Sequence, residues 1–223
     1  MKVMILAAGL GARMRPLTDY TPKPLLPVLG KPLIQHHLEK VAAAGIKEVV
    51  INHAYLGEQI EQFVGDGSRW GLQVYFSKEA EPLETGGGIV QALPLLGNNA
   101  FIVINADVWL DYPLSTIVNK KINALAHLIL VPNPDHHLEG DFVLMGDGHV
   151  AASVNNSDTY TFSGLSVLRP HLFAGRAPGK FPLAPILKEA MTQQKVTGEL
   201  FAGYWCDVGT PQRLQELENQ LQK

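Results

Sequence analysis

The chain has 223 residues, with 18 Lys+Arg against 21 Asp+Glu, 46% apolar and 17% charged residues, and a single cysteine. Nearly half apolar at a net charge of -3, it can bury a large core, which excludes disordered and fibrous classes, and its slightly acidic balance gives no footprint for nucleic acid or an anionic membrane. No uncharged apolar run reaches the ~18 residues of a bilayer span, and Cys206 alone forms no internal disulfide, so a cytoplasmic protein acting on small molecules is expected.

In chain order, short β-rich runs at 2–7, 48–52, 72–76 and 101–105 read as buried strands. Between them lies a helix over 31–44, with Leu33, Ile34, His37, Leu38, Val41 and Ala42 on one stripe and Gly45 as its stop, then weaker helices over 56–64 and 88–96. Strands separated by helices of this length predict right-handed βαβ crossovers. The fold class is therefore α/β, a Rossmann-like, mostly parallel sheet flanked by helices. Farther on, 125–131 is a strong strand, and 141–145, 150–154 and 160–168 form a small added β meander. Helices over 182–191 and 212–221 close the chain. With no repeat or linker, residues 1–223 are expected to form one domain.

The first strand runs into Ala8-Gly9-Leu10-Gly11-Ala12-Arg13, a glycine-bearing loop at the carboxyl end of a parallel strand, where open α/β sheets bind ligands. Gly9 and Gly11 let the backbone approach a phosphate and Arg13 offers a forked cation. Alone, the loop reads more readily as a tight turn with two surface arginines. Met14 stands where a dinucleotide fingerprint has its third glycine, and no P-loop lysine follows. Thr21-Pro22-Lys23-Pro24-Leu25-Leu26-Pro27 then presents Lys23 from a stiff, proline-flanked segment suited to phosphate chemistry.

These two linked motifs, Leu6 to Thr18 and Pro22 to Pro27, resemble the signature of the sugar-1-phosphate nucleotidyltransferases. The resemblance implies the nucleotide-diphospho-sugar transferase fold, with a nucleotide part over about 1–110 and a sugar part over about 111–223. It also implies Mg²⁺ and a reaction between UTP and a sugar-1-phosphate. By position, Ala8, Gly9, Gly11 and Ala12 would wrap the triphosphate, Arg13 would face its β and γ phosphates, and Lys23 would contact the reacting centre. Arg13 and Lys23 are thus the expected catalytic cations.

After the third strand, Glu79-Ala80-Glu81-Pro82-Leu83-Glu84-Thr85-Gly86-Gly87-Gly88 is similar to the family's base-reading segment. Glu79, Glu84, Thr85 and Gly87 would belong to the nucleotide site, the three glycines permitting close approach to a ligand. A carboxylate at Glu79 could accept from uracil or from guanine, so the base stays open. Asn105 and Asp107 end the fourth strand, where a Mg²⁺ bridging phosphates needs a hard oxygen ligand. Asp207, in Trp205-Cys206-Asp207-Val208-Gly209-Thr210-Pro211, matches the family's second acidic ligand.

On the acceptor side, Gly140, Asn155 and Glu199 fall where the family builds its sugar pocket. Asn155-Asn156-Ser157-Asp158 replaces the Glu-Glu-Lys-Pro-like run of many relatives, a departure that fits an unusual acceptor. The eight histidines form no metal-ligand spacing and receive no role; His37 packs in its helix, and Trp109 and Asp111 pack and cap. The other readings are the same chemistry with mannose-1-phosphate and GTP or glucose-1-phosphate and UTP or dTTP, and a catalytically silent nucleotide-sugar sensor. Arg13, Lys23, Asp107 and Asp207 together argue against the sensor, which needs no metal-bound leaving group.

Overall fold

Runs of valine and isoleucine, stiff at χ1 and flat enough to pack on a pleated surface, make the central strands of the computed structural model, which describes residues 1–152 and 158–222. The first half contains β1 (Val3–Leu6), β2 (Pro27–Val28), β3 (Lys31–Pro32), α1 (Leu33–Ala43), β4 (Glu48–His53), α2 (Gly57–Val64), β5 (Gln73–Lys78), α3 (Glu84–Leu96), β6 (Phe101–Asn105) and β7 (Val108–Leu110). The second half contains α4 (Leu114–Val118), β8 (Ala126–Val131), β9 (Phe142–Leu144), β10 (Val150–Ala152), β11 (Thr159–Leu168), α5 (Ala184–Thr192), β12 (Val196–Leu200), β13 (Trp205–Asp207) and α6 (Pro211–Leu221).

β1 lies between β4 and β6, both parallel to it, and β5 extends the sheet in parallel beyond β4. The chain therefore goes first to one side of β1 and then returns to the other. That reversal opens a crevice at the carboxyl ends of the strands, the usual ligand position in an open α/β sheet. β11 runs antiparallel to β6, β8 antiparallel to β11, and β12 parallel to β8; β9 and β10 add the expected meander. One apolar cluster, including Ile34, Leu38, Ile51 and Ile60, fills the α1–α2 face. A second, including Met4, Ile89, Phe101 and Leu187, fills the α3–α5 face.

Three differences from the sequence reading matter for the site. α3 starts at Glu84, four residues before the expected 88, because its glycines pack rather than bind: a Cβ on Gly86 would lie 2.6 Å from the Phe181 ring and one on Gly87 only 2.0 Å from the Gly179 carbonyl oxygen. Tertiary docking overrides the low helix propensity of glycine here. Secondly, β7 and β13 form a separate antiparallel ribbon that the sequence did not announce. Thirdly, β12 pairs with β8 where only loop was expected. No helix among the described residues is long and apolar enough to cross a membrane.

Candidate active site

The loop after β1 and the ends of β4 and β6 surround a cavity of about 230 Å³. Ala8 and Gly9 form one side, Asn105 and Asp107 another, Glu84 and Thr85 a third, with Lys23 at the junction. A Cβ on Gly9 would meet nothing within 4 Å, so the glycine there keeps space for a ligand rather than for packing. Gly11 differs: its φ of +63° is left-handed and a Cβ would press on Thr18, so it shapes the turn. Ala12 and Arg13 follow in a 3-10 turn (Ala12–Met14) anchored by the fully buried Met14. Glu84 has φ +60°, an unfavourable conformation for a non-glycine residue, held at the lip of the cavity.

Lys23 begins a second 3-10 turn (Lys23–Leu25) whose entry is fixed by Pro22 at φ -65°. Its side chain is only 11% exposed and its Nζ donates to Asp107 Oδ2 at 2.6 Å. The proline-flanked lysine thus reaches Asp107, just beyond the end of β6.

Asn105 and Asp107 also line a second cavity of about 360 Å³, together with Arg13, His136, His137, Ser163, Gly164 and Asp207. Gly164, at φ +84° within an irregularity of β11, lies where a Cβ would be 2.8 Å from the Asn105 amide nitrogen; only glycine lets that strand pass. Asp207 stands opposite Val108 in the β7–β13 ribbon, and the Val208 N–H donates to the Asp107 carbonyl at 2.8 Å. Two carboxylates a hundred residues apart in sequence are thus brought close, Asp107 in the turn just before β7 and Asp207 at the end of β13. Asp207 Oδ1 accepts from Arg213 NH1 at 2.5 Å and lies 3.0 Å from His136 Nε2.

The donor chemistry suits a hard divalent cation. Each carboxylate has one oxygen held by a protein cation and one with no partner among the described residues. No group of three or more His, Cys, Asp or Glu placed to hold a metal occurs there. Mg²⁺ is commonly bound by one or two carboxylates, its remaining positions filled by phosphate oxygens and water. Cys206 beside Asp207 is a poor competitor because a hard Mg²⁺ prefers oxygen to a soft sulfur; burial, and then the Asp207 charge, push its thiol up to about 11.

Beneath the cavity a buried relay joins three strand ends. Asn52 Oδ1 accepts from the Ala7 N–H at 3.0 Å, Asn52 Nδ2 donates to Glu79 Oε1 at 2.7 Å, and Glu79 Oε2 accepts from the Leu83 N–H at 2.8 Å. Glu79 is 3% exposed and is not among the residues lining the cavity. Each of its oxygens thus already accepts one bond from the protein, which gives Glu79 a supporting place beneath the cavity. His37, on α1 below β6, is buried with its Nε2 unpaired; desolvation first, and then Lys40, depress its pKa to about 4, so it is neutral.

The remaining expected residues divide. Gly87 packs on the 179–181 segment, its N–H donating to Phe181 O at 3.0 Å. Gly140, φ +57°, lies against Asn133 and Thr159. Glu199 is occupied away from both cavities by Tyr112, Lys120 and His127. Burial alone would raise its pKa, but bonds from Lys120 and Tyr112 bring it below the ordinary value. Asn155 lies outside the described residues. Trp109 packs against His36, with Lys40 over its ring, and donates from Nε1 to Asp111 Oδ1 at 2.8 Å.

Sequence reasoning missed Asn52, His136 and Arg213, whereas the 162–164 segment that holds Gly164 falls where the family resemblance puts the sugar pocket. A polar residue ending the apolar run 48–52 is the same signal that singled out Asn105, and could have found Asn52. Nothing local marks the other two, whose significance comes from their contacts with Asp207 on the β7–β13 ribbon.

A family model described as nucleotidyl transferase matches residues 2–142. The chain is 50% identical, over 98% of its length and 97% of the relative's, to the N-acetylmuramate alpha-1-phosphate uridylyltransferase of Neisseria meningitidis serogroup B. It is 33% identical, over 98% and 96%, to the protein of that name from Caulobacter vibrioides. Among solved structures, a putative glucose-1-phosphate thymidylyltransferase from Bacillus anthracis, in complex with a sucrose, superposes with a TM-score of 0.86 at 22% identity, covering 99% of this chain and 94% of that one.

Proposed function

Because the chain belongs to the nucleotidyl transferase family, we propose that it transfers UMP from UTP to N-acetylmuramic acid 1-phosphate, giving UDP-N-acetylmuramic acid and pyrophosphate. The observation that carries this choice of substrates is the 50% identity to the Neisseria relative across nearly the whole of both chains. Such a reaction recovers a peptidoglycan sugar in the cytoplasm, where UTP is available. Nucleotide binding is assigned to the part up to about residue 110 and sugar binding to the part that follows, with Arg213 of α6 reaching back to the shared wall.

The geometry suits the transfer. UTP would occupy the cavity lined by Ala8, Gly9, Glu84 and Thr85, and the sugar phosphate the one lined by His137, Ser163 and Gly164. A phosphate oxygen of the acceptor attacks the α-phosphorus in line, a new P–O bond forms, the bond to the β-phosphate oxygen breaks, and pyrophosphate leaves with the electron pair. The acceptor phosphate is already ionised, so no general base is required. Catalysis reduces to positioning and neutralisation of charge. Lys23, beside Asp107 at the wall shared by the two cavities, would stand between the two anions; Arg13, which lines the second cavity, would reach the leaving phosphates from that side, and backbone N–H groups of the 8–11 loop would receive the rest. A Mg²⁺ held by Asp107 and Asp207 would neutralise phosphate oxygens there and lower the cost of bringing them together.

The test is pyrophosphate release by the purified protein across UTP, GTP, dTTP and ATP, each with the 1-phosphates of N-acetylmuramic acid, N-acetylglucosamine, glucose and mannose. The expected maximum is UTP with N-acetylmuramic acid 1-phosphate. A maximum at GTP with mannose 1-phosphate overturns the substrates but keeps the chemistry, and release from no pair overturns both.

A further inference from the structure

Asp207 ends β13, a strand of only three residues, and its side chain is 26% exposed, so packing alone does not fix its rotamer. What fixes it is Arg213. The guanidinium is 14% exposed, donates from NH1 to Asp207 Oδ1 at 2.5 Å, and leaves Oδ2 without a protein partner among the described residues. NH1 also lies 2.7 Å from His136 Nε2, which is itself 3.0 Å from Asp207 Oδ1, so the imidazole closes a three-way contact with the guanidinium and the carboxylate. The arginine is itself held firmly. Thr210 caps α6, its Oγ1 accepting from the Arg213 N–H at 3.3 Å, and Leu217 on the same helix is fully buried beside Trp109 and Met14.

Lys23 treats Asp107 in the same way, taking Oδ2 and leaving Oδ1. Two neighbouring carboxylates would repel each other and turn toward water if left alone. With one cation on each, the four charges sum to zero and each aspartate is pinned by one oxygen with the other free. This is what a cation preferring single-oxygen carboxylate contacts requires of its ligands before it arrives.

Resting on the assignment of Asp207 as a metal ligand, we infer that Arg213, braced by His136, is the positioning residue of the divalent-metal site. It acts through Asp207 and touches neither substrate. The positive charge of Arg213 also repels an incoming divalent cation, so orientation and repulsion have opposite signs and the sign of the mutational effect decides between them. Partners of this kind that orient a metal ligand are typically worth about 10-fold to 100-fold in metal affinity.

The experiment titrates Mn²⁺ into the intact protein, with no nucleotide present, and follows the loss of the free-ion paramagnetic resonance signal. Wild type is compared with Asp207→Asn, Arg213→Gln, Arg213→Lys and His136→Ala, each checked for folding by circular dichroism. The expected result is Mn²⁺ binding weakened about 10-fold or more in Arg213→Gln, with partial recovery in Arg213→Lys. In parallel, the Mg²⁺ concentration for half-maximal pyrophosphate release should rise by a similar factor. Unchanged or tighter Mn²⁺ binding in Arg213→Gln, when Asp207→Asn has lost it, overturns the inference and leaves Asp207 as a ligand. Equal binding by wild type and Asp207→Asn overturns the ligand assignment and the inference with it. Should Arg213→Gln not fold, Arg213→Lys and His136→Ala decide: both at the wild-type level overturns the inference, and weakened binding in both supports it.

Discussion

Removing the buried carboxylate of Glu79 separates a supporting role from a base-reading one. Glu79→Ala leaves two donors facing a void: Asn52 Nδ2, in a residue 2% exposed, and the Leu83 N–H, which is partly buried. An unsatisfied buried donor costs about 1–3 kcal/mol, with Asn52 near the upper end and Leu83, which water can reach, near the lower. Losing the desolvation penalty of the carboxylate offsets part of this, so the net destabilisation should be about 2–3 kcal/mol. For a domain of this size that lowers Tm by roughly 5–10 °C. Asn52 also holds the Ala7 N–H, and Leu83 precedes the cavity-lining Glu84, so KM for UTP should rise as well. Glu79→Gln should lose about half as much stability, since its amide oxygen still serves Asn52 while its NH₂ confronts the Leu83 N–H. The assays are urea denaturation followed by circular dichroism, and kcat/KM for UTP relative to GTP. Stability within 0.5 kcal/mol of wild type, combined with an altered UTP-to-GTP ratio, would show that Glu79 reads the base and refute the relay.

Lys23→Met should lower turnover by about 10²-fold or more while Tm changes little, because Asp107, 41% exposed on its side chain, stays solvated; a pyrophosphate-release assay showing near-normal turnover refutes the role. His37 has a folded pKa of about 4 against an ordinary 6.5, so below 6.5 the unfolded chain binds the extra proton and stability falls with pH down to about 4. From pH 7 to pH 5 that loss is about 2 kcal/mol, and it should be missing from His37→Leu in urea titrations at the two pH values. Two glycine variants should separate cleanly. Gly87→Ala places a Cβ 2.0 Å from a backbone oxygen and should destabilise by about 1–3 kcal/mol, whereas Gly9→Ala meets nothing within 4 Å and should melt normally. Gly9→Ala should instead lose about 10²-fold in kcat/KM for UTP by displacing the phosphates; equal melting and equal kinetics for the two variants would contradict this division.

Local patterns made the first half of the molecule legible. Valine–isoleucine runs ending in Asn105 or leading into Gly9 carry their own strand signal, and prolines on both sides of Lys23 announce a rigid support. Leu33, Leu38 and Val41 betray the buried face of α1, although Lys31 and Pro32 peel off into a short strand pair with Pro27 and Val28 before the helix begins. What stayed hidden depends on distant contact. The 86–88 glycines look like a ligand loop, and only docking of the 179–181 segment turns them into helix. Glu79 and Glu199 also bond to neighbours that no spacing reveals. Asp207 could be chosen by motif, but its position beside Asp107 comes from a three-residue ribbon, too short to be read as a strand from its own sequence.

The placement of that ribbon also explains how one sheet can serve two substrates. β6 pairs in parallel with β1 on one side and antiparallel with β11 on the other, so its carboxyl end borders two different kinds of opening. Toward β1 it meets the glycine-bearing loop of Ala8 and Gly9; toward β11 it meets a strand bent at Gly164. Asn105 and Asp107 face both openings, so a group exchanged between two bound molecules has to pass over them. On the proposed reaction, charge at that wall would bear directly on the transfer. Lys23 and Arg213, the two cations that hold Asp107 and Asp207, arrive there from opposite ends of the chain. Neither half of the molecule could complete the site alone, which ties the integrity of the cleft to the docking of α6.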